Sequence, residues 1–146
     1  ESCDQMYRAA VSEFEGCDAA ILCAAVADFR PDSVADSKIK RGDSDLVLRL
    51  KPTHDIASEL GRMKKPGQRL VGFALETDDE QAHAMGKLER KNLDFIVLNS
   101  LRNKGTCFRS DENQVCILTR EGMTEYPKKS KEGVAEDIIG RLAEIM

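Results

Sequence analysis

The stretch R-L-V-G-F-A-L at residues 69–75 decides the fold, together with the helical pattern of residues 77–92 and D-F-I-V-L at residues 94–98. Both apolar runs are short and place apolar side chains on both faces, which is typical of strands covered on both sides. Thr77 is followed three residues later by Glu80, as in a capping box that begins a helix. A strand, a helix and a second strand in this order predict a mostly parallel sheet with helices packed against it.

The flanking sequence continues the alternation of helices and strands. Residues 18–27, D-A-A-I-L-C-A-A-V-A, predict another strand that is buried on both faces. The other predicted elements are a helix at 3–15, a strand at 46–50, a helix capped by Thr53 that extends to Met63, a hairpin around Glu121-Gly122 and a terminal helix at 132–145. We therefore predict a single α/β domain over residues 1–146, a three-layer, Rossmann-like and mostly parallel sheet with helices on both faces. A flap at 38–50 and a C-terminal β-hairpin complete it.

Composition excludes several classes of protein. The chain has 146 residues, 41% of them hydrophobic, and a net charge of −4, which does not suit a nucleic-acid or membrane-surface binder. The five cysteines lack CxxC spacing, which argues against a disulfide framework or a zinc site and favours a reducing, cytoplasmic location. We expect Cys23 and Cys116 to be core residues. Residues 101–113 read as a loop of unassigned role, and the reactivity of Cys107 stays open.

In an open α/β sheet, ligands bind beyond the carboxyl ends of the strands, so the residues that follow each strand are the first candidates. Asp28 follows the first predicted strand, where its carboxylate either holds Mg²⁺ or a base amine, or only caps the loop or pairs with Arg30. Lys38 and Lys40 point to the same side of an extended chain. They either bind a triphosphate or lie on a solvated flap.

Further candidates have the same two interpretations. Lys87 and Lys91 are spaced i, i+4 on one helix face and either contact phosphate or are solvated. Phe73 is either a core residue or a stacking surface for a base. The sequence has no GxGxxG turn, no Walker A loop and no GxSxG elbow, and His54 and His83 lack metal-ligand spacing.

Several of these motifs together resemble the phosphopantothenoylcysteine synthetase family. They are A-A-V-A-D-F-R-P at 24–31, K-I-K-R at 38–41, D-I at 55–56, G-F-A-L-E-T at 72–77, the lysines at 87–91 and Asn99. In bacteria this family forms the C-terminal half of a bifunctional coenzyme A biosynthesis flavoprotein whose N-terminal half is a decarboxylase. The resemblance covers residues 5–145.

The resemblance implies a reaction and a set of site residues. CTP activates the carboxylate of 4′-phosphopantothenate as an acyl-cytidylate, and the amine of cysteine then displaces CMP. Mg²⁺ accompanies CTP, whereas FMN would belong only to the absent decarboxylase half. Lys38 is implied as the catalytic residue and Asp28 as the magnesium ligand. The implied CTP contacts are Ala24, Ala25, Asp28, Lys38, Lys40, His54, Asp55, Ile56, Ala57, Phe73, Lys87 and Lys91.

The chain also departs from the family pattern. The glycine-rich turn and the Asn-containing loop for phosphopantothenate do not precede residue 1, so we expect the chain to be the C-terminal portion of a synthetase domain. Thr53-His54 stands where many relatives have Asn-Pro, and Arg41 where many have Lys. The family suggests a homodimer within a larger decarboxylase–synthetase assembly. The alternative is a truncated, non-catalytic nucleotide-binding or assembly module.

Overall fold

The computed structural model describes residues 2–42, 45–76, 80–100 and 111–146. The predicted cap Thr77 and the thiol of Cys107 lie outside these ranges. The described residues form four helices, α1 Cys3–Phe14, α2 Ile56–Met63, α3 Glu80–Arg90 and α4 Lys131–Ile145. They also form nine strands, β1 Ala19–Leu22, β2 Phe29–Pro31, β3 Leu50–Pro52, β4 Arg69–Glu76, β5 Phe95–Ser100, β6 Glu112–Asn113, β7 Val115–Leu118, β8 Met123–Glu125 and β9 Lys129–Ser130.

The central sheet has the strand order β1-β4-β5-β7-β8. Strands β1, β4 and β5 are parallel, and β7 and β8 join them as an antiparallel hairpin. This confirms the predicted mostly parallel sheet and the hairpin around Glu121-Gly122. The carboxyl ends of β1, β4 and β5 therefore lie at the same edge of the sheet.

Alternate side chains of the central strands enter two separate hydrophobic clusters, one on each face. Leu70 and Ile96 pack with α1, α2 and α3 on one face, whereas Val71 and Phe95 pack with α4 on the other. Both clusters consist of side chains that are almost completely excluded from water. Helices on both faces confirm the predicted three layers, and they explain why β4 and β5 are continuously apolar.

The first strand differs from the prediction. It ends at Leu22, and its side chains are half-buried because β1 has β4 as its partner on one side and lies at the edge of the described sheet. The apolar run continues beyond it, but residues 23–25 are exposed. Cys23 is therefore not a core residue, contrary to expectation. Cys116 is half-buried and packs against the core.

The flap is attached through a short antiparallel pair that the sequence did not predict. Strand β2 pairs with β3 in a register that joins Phe29 to Pro52 and Pro31 to Leu50. The strand predicted at 46–50 is thus displaced toward 50–52, and the apolar side chains of 46–48 are exposed. Strands β6 and β9 were also missed, since a two-residue pairing carries no periodic signal.

Helix α2 begins later than predicted because a different residue caps it. Asp55 is the N-cap, and its carboxylate accepts a hydrogen bond from the backbone N–H of Ser58. Thr53 instead donates its hydroxyl to the carbonyl of Ala27, 2.7 Å away. The helices at both ends of the chain lie where they were predicted. No helix in the described ranges is long and apolar enough to cross a membrane.

Candidate functional site

A cavity of about 630 Å³ lies beyond the carboxyl end of β1 and beside the middle of β4, on the sheet face that packs against α1, α2 and α3. Its volume is within the range of small-molecule sites in proteins. Four segments form most of its wall, residues 22 and 24–29 after β1, residues 52–57 before and within α2, residues 72–73 in β4 and residues 87 and 91 at the end of α3.

The segment after β1 offers small side chains and one carboxylate. Ala24 and Ala25 are exposed at the cavity, so a ligand can approach the backbone closely there. Asp28 is exposed on the same wall, and its carboxylate has no hydrogen bond or ion pair within the described residues. The Asp28 carbonyl accepts the backbone N–H of Thr53 at 2.9 Å, which fixes this segment beside α2. Arg30 pairs with Asp4 of α1 rather than with Asp28.

The N-terminal end of α2 forms the wall next to this segment. His54 lines the cavity, and its ring stacks on that of Tyr7 from α1 with centroids 4.5 Å apart. Asp55, Ile56 and Ala57 continue the wall into the first turn of the helix. The first turn of a helix has backbone N–H groups without intrahelical acceptors and a partial positive charge, which attract an anionic ligand and oppose the repulsion from the Asp55 carboxylate.

Lysine side chains approach the cavity from the end of α3. Lys87 and Lys91 both line it, and the Lys91 ammonium lies 3.0 Å from one carboxylate oxygen of Asp55. Burial raises the pKa of Asp55, but hydrogen bonds from Ser58 and Lys91 outweigh this effect and hold the pKa below its ordinary value of 3.8. Asp55 is therefore ionised at neutral pH, and it forms an ion pair with Lys91.

The floor of the cavity comes from the parallel strands. Gly72 of β4 borders it, and a Cβ atom at this position would lie 2.8 Å from Cδ1 of Leu93, so the Leu93 side chain packs directly against the glycine. Phe73 packs against the α4-side cluster and also lines the cavity. Its side chain is therefore partly in the core and partly at the cavity, and a base stacked on it stays a prediction.

The flap carries Lys38 and Lys40, which are both exposed. Neither residue is among those that line the cavity. The structure therefore brings together ten of the twelve residues implied as CTP contacts and leaves these two apart from them. The cavity also includes residues that sequence reasoning missed, among them Met6, Thr53 and Leu93. No local signal marks these three, because they reach the cavity only through the packing of α1, α2 and β5.

A magnesium ion would have Asp28 as its protein ligand here. The described residues contain no cluster of three or more His, Cys, Asp or Glu side chains that could hold a metal. One uncommitted carboxylate fits Mg²⁺ that arrives with a nucleotide, since Mg²⁺ in such sites takes one or two carboxylates, substrate phosphates and water.

Comparison with known proteins places the chain in a family. The profile of the family described as "DNA/pantothenate metabolism flavoprotein C-terminal domain" matches residues 1–146. The chain belongs to this family. The Coenzyme A biosynthesis bifunctional protein CoaBC of Bacillus subtilis (strain 168) is 43% identical over 144 residues, which are 98% of this chain and 35% of that protein. A protein from an unknown prokaryotic organism, named Cysteine/Cysteine sulfinic acid decarboxylase, is 51% identical over 142 residues. They are 97% of this chain and 40% of that protein.

Two solved structures have the same fold as this chain. The crystal structure of the C-terminal domain of a CoaBC protein superposes with a TM-score of 0.77 at 33% identity, and the match covers 97% of this chain and 61% of that one. The DNA/pantothenate metabolism flavoprotein from Streptococcus pneumoniae has the same fold, with a TM-score of 0.79 at 20% identity and a coverage of 99% and 71%. The chain therefore spans well under half the length of both curated relatives.

Proposed function

We propose that the chain is the nucleotide-binding portion of a CTP-dependent phosphopantothenate–cysteine ligase of coenzyme A biosynthesis. In the proposed reaction, the carboxylate of 4′-phosphopantothenate attacks the α-phosphorus of Mg²⁺-bound CTP and releases pyrophosphate. The amine of cysteine then attacks the acyl-cytidylate, an amide bond forms, and CMP leaves. The proposed location is the cytoplasm, because the cysteines lack disulfide spacing.

One observation carries this proposal. Residues that the family resemblance assigns to CTP lie far apart in the sequence, yet those at 24, 25, 28, 54–57, 73, 87 and 91 converge on one cavity. The cavity lies where an open α/β sheet binds its ligands. Its wall combines small residues, a free carboxylate, a helix N-terminus and two lysines, which suits a nucleoside triphosphate with its magnesium ion.

The described lining of the cavity contains no serine or cysteine, and the proposed chemistry is consistent with this. Transfer of a nucleotidyl group needs fixed cations where negative charge develops. The nucleophile of the second step is the amine of the incoming cysteine. No serine or cysteine nucleophile is therefore required. Lys38 is the proposed catalytic cation, and it would reach the triphosphate when the flap closes. Closure would also exclude water, which otherwise hydrolyses the acyl-cytidylate.

The name of one relative supports a role in coenzyme A biosynthesis. The protein that is 43% identical is a bifunctional coenzyme A biosynthesis protein. The name of the 51% identical relative describes a decarboxylase, but the match covers only 40% of that protein. We propose that decarboxylation belongs to a different part of such proteins, together with any FMN, and that the chain works within a larger decarboxylase–synthetase assembly.

A homodimer is the proposed oligomeric state, and the flap is the proposed contact surface. Large apolar side chains of the flap are exposed, among them Val47 at 83% and Leu46 at 64%. Apolar side chains clustered on one segment are typical of an interaction surface. Light scattering on the intact protein would give the mass of the assembly, and a monomeric mass would contradict this proposal.

A turnover assay and a titration test the proposed function. The intact protein with Mg²⁺-CTP, 4′-phosphopantothenate and cysteine should form CMP and pyrophosphate in equal amounts, and calorimetric titration should show binding of CTP in preference to ATP and NAD. Binding of CTP without product would favour the alternative, a non-catalytic nucleotide-binding module. Absence of binding to every nucleotide would overturn both.

The substitution Asp28→Asn tests the magnesium assignment. We expect the affinity for Mg²⁺-CTP to fall by about tenfold, because the amide is a weaker ligand for a hard cation than the carboxylate. Titration in EDTA is the internal control, since the variant and the wild-type protein should bind metal-free CTP equally. Asp36→Asn, at an exposed position outside the cavity lining, should leave both affinities unchanged. An unchanged affinity of Asp28→Asn for Mg²⁺-CTP would contradict the assignment.

A further inference from the structure

We propose that Asp55 is a positioning residue that fixes the ammonium group of Lys91 on the cavity wall, and that its carboxylate acts on the nucleotide only through Lys91. This inference rests on the proposed function, because it requires a phosphate-bearing ligand in the cavity. It adds a role for Asp55 that differs from direct contact with the nucleotide.

The carboxylate of Asp55 is already fully engaged by the protein. Its Oδ1 accepts the Ser58 backbone N–H at 3.0 Å and the Lys91 ammonium at 3.2 Å. Its Oδ2 accepts the Ser58 hydroxyl at 2.8 Å and lies 3.0 Å from the same ammonium. Asp28, which also lines the cavity, has no such partners within the described residues. Of these two carboxylates, Asp28 is thus the one that is free to meet a ligand, whereas Asp55 is used to hold other groups.

The ammonium of Lys91 has donors to spare. A lysine carries three N–H donors, and Asp55 needs no more than two of them, so at least one can point toward a bound anion. A lysine side chain without such a partner samples many rotamers, and ordering it on binding lowers the affinity. Asp55 therefore orders the Lys91 side chain before the ligand arrives.

Helix α2, which begins after Asp55, is packed against the end of α3. A Cβ atom on Gly61 of α2 would lie only 1.9 Å from the carbonyl oxygen of Lys91, so the two backbones are in direct contact. Asn92 donates its side-chain N–H to the Gly61 carbonyl at 2.9 Å. Lys64, just after α2, donates to the Asn92 carbonyl at 2.7 Å and to Asp94 at 2.9 Å. The distance between Asp55 and the backbone of Lys91 is therefore set by packing.

Two effects of the Asp55 carboxylate have opposite signs, and this makes the proposal testable. A negative charge beside the cavity repels an anionic ligand, so its removal should tighten binding if charge were its only effect. An ordered Lys91 strengthens binding, so its removal should weaken binding if positioning dominates. Positioning predicts that Asp55→Asn weakens the binding of Mg²⁺-CTP by about fivefold to tenfold.

The experiment is a double-mutant cycle in the intact protein, with Asp55→Asn, Lys91→Gln and the double variant titrated with Mg²⁺-CTP by calorimetry. Asparagine is an N-cap as good as aspartate, so the α2 cap is kept while the charge is lost. We expect Asp55→Asn to weaken binding in the wild-type background and to change it by less than about twofold in the Lys91→Gln background. Glu59→Gln, which removes another carboxylate of α2 outside the cavity lining, should leave the affinity unchanged.

Several results would overturn the proposal. Equal weakening by Asp55→Asn in both backgrounds would mean that Asp55 meets the nucleotide itself. Tighter binding would mean that only its charge matters, and an unaffected Lys91→Gln variant would remove Lys91 from the site. In each of these cases the wild-type protein still binds CTP, so the proposed function stands. A wild-type protein that does not bind CTP would instead contradict the proposed function, and the positioning role would fall with it.

Discussion

The substitution Lys38→Ala is expected to lower kcat for ligation by about a hundredfold to a thousandfold, the effect of removing one fixed group that stabilises charge in a transition state. Folding should be unaffected, because Lys38 is exposed on the flap and packs against nothing in the core. The measurement is the rate of CMP release at saturating CTP, 4′-phosphopantothenate and cysteine, with the melting temperature measured on the same preparation.

Two further variants make this test specific. Lys38→Arg keeps the charge but replaces a compact ammonium by a planar guanidinium, so it should recover only part of the rate. Arg49→Ala removes a cation from another exposed position of the same flap and should leave the rate within about twofold of wild type. A Lys38→Ala variant that keeps full turnover, or that loses its fold, would contradict the catalytic assignment.

The substitution Gly61→Ala is expected to destabilise the fold by about 3 kcal/mol. Its added methyl group would occupy the position of the Lys91 carbonyl oxygen, which is 1.9 Å from the ideal Cβ position. Because the obstacle is backbone and not the end of a flexible side chain, α2 must move away from the end of α3. In a domain of this size the loss corresponds to roughly 10 °C in melting temperature. Thermal unfolding monitored by circular dichroism measures it.

A glycine in another helix of the same chain is the matched control. Gly140 lies in α4 with nothing within 4 Å of its ideal Cβ position, and it is exposed. Gly140→Ala should therefore stabilise the protein by about 0.5–1 kcal/mol, the difference in helix propensity between the two residues. Equal melting temperatures for Gly61→Ala and Gly140→Ala would show that the close approach of α2 and α3 does not constrain the fold.

Sequence patterns predicted the elements whose environment is uniform along their length. Strands β4 and β5 lie between two helical layers, so apolar side chains on both faces are covered over most of each run, with Leu75 near the end of β4 as an exposed exception. The run at 18–27 is also apolar, but only its first part is a strand. The small residues after Leu22 leave room beside the cavity instead of filling a core, and alanine composition does not distinguish these two uses.

Local rules also failed where two residues satisfy the same rule. Thr53 and Asp55 are both good N-caps. The choice between them depends on contacts across the chain, namely the hydroxyl of Thr53 with Ala27 and the carboxylate of Asp55 with Lys91. The site residues named from the family resemblance converge on one cavity, whereas the ion pair inside that cavity had no signature in the sequence. The first contact joins residues that are 26 positions apart, and the second joins residues that are 36 positions apart. Neither separation belongs to a helical or strand period.

The pairing of β1 with β4 has a consequence for the order of folding. Its register joins Ala19 to Arg69, so this pairing closes a loop of about fifty residues, whereas β4 and β5 are joined by a single helix. Long loops form their contacts slowly because closure costs chain entropy. The antiparallel β2–β3 pair shortens that loop when it forms first, since it joins Phe29 to Pro52 inside it. We therefore expect β4 and β5 to pair before β1 joins the sheet, so that the part of the cavity that follows β1 forms after the centre of the sheet.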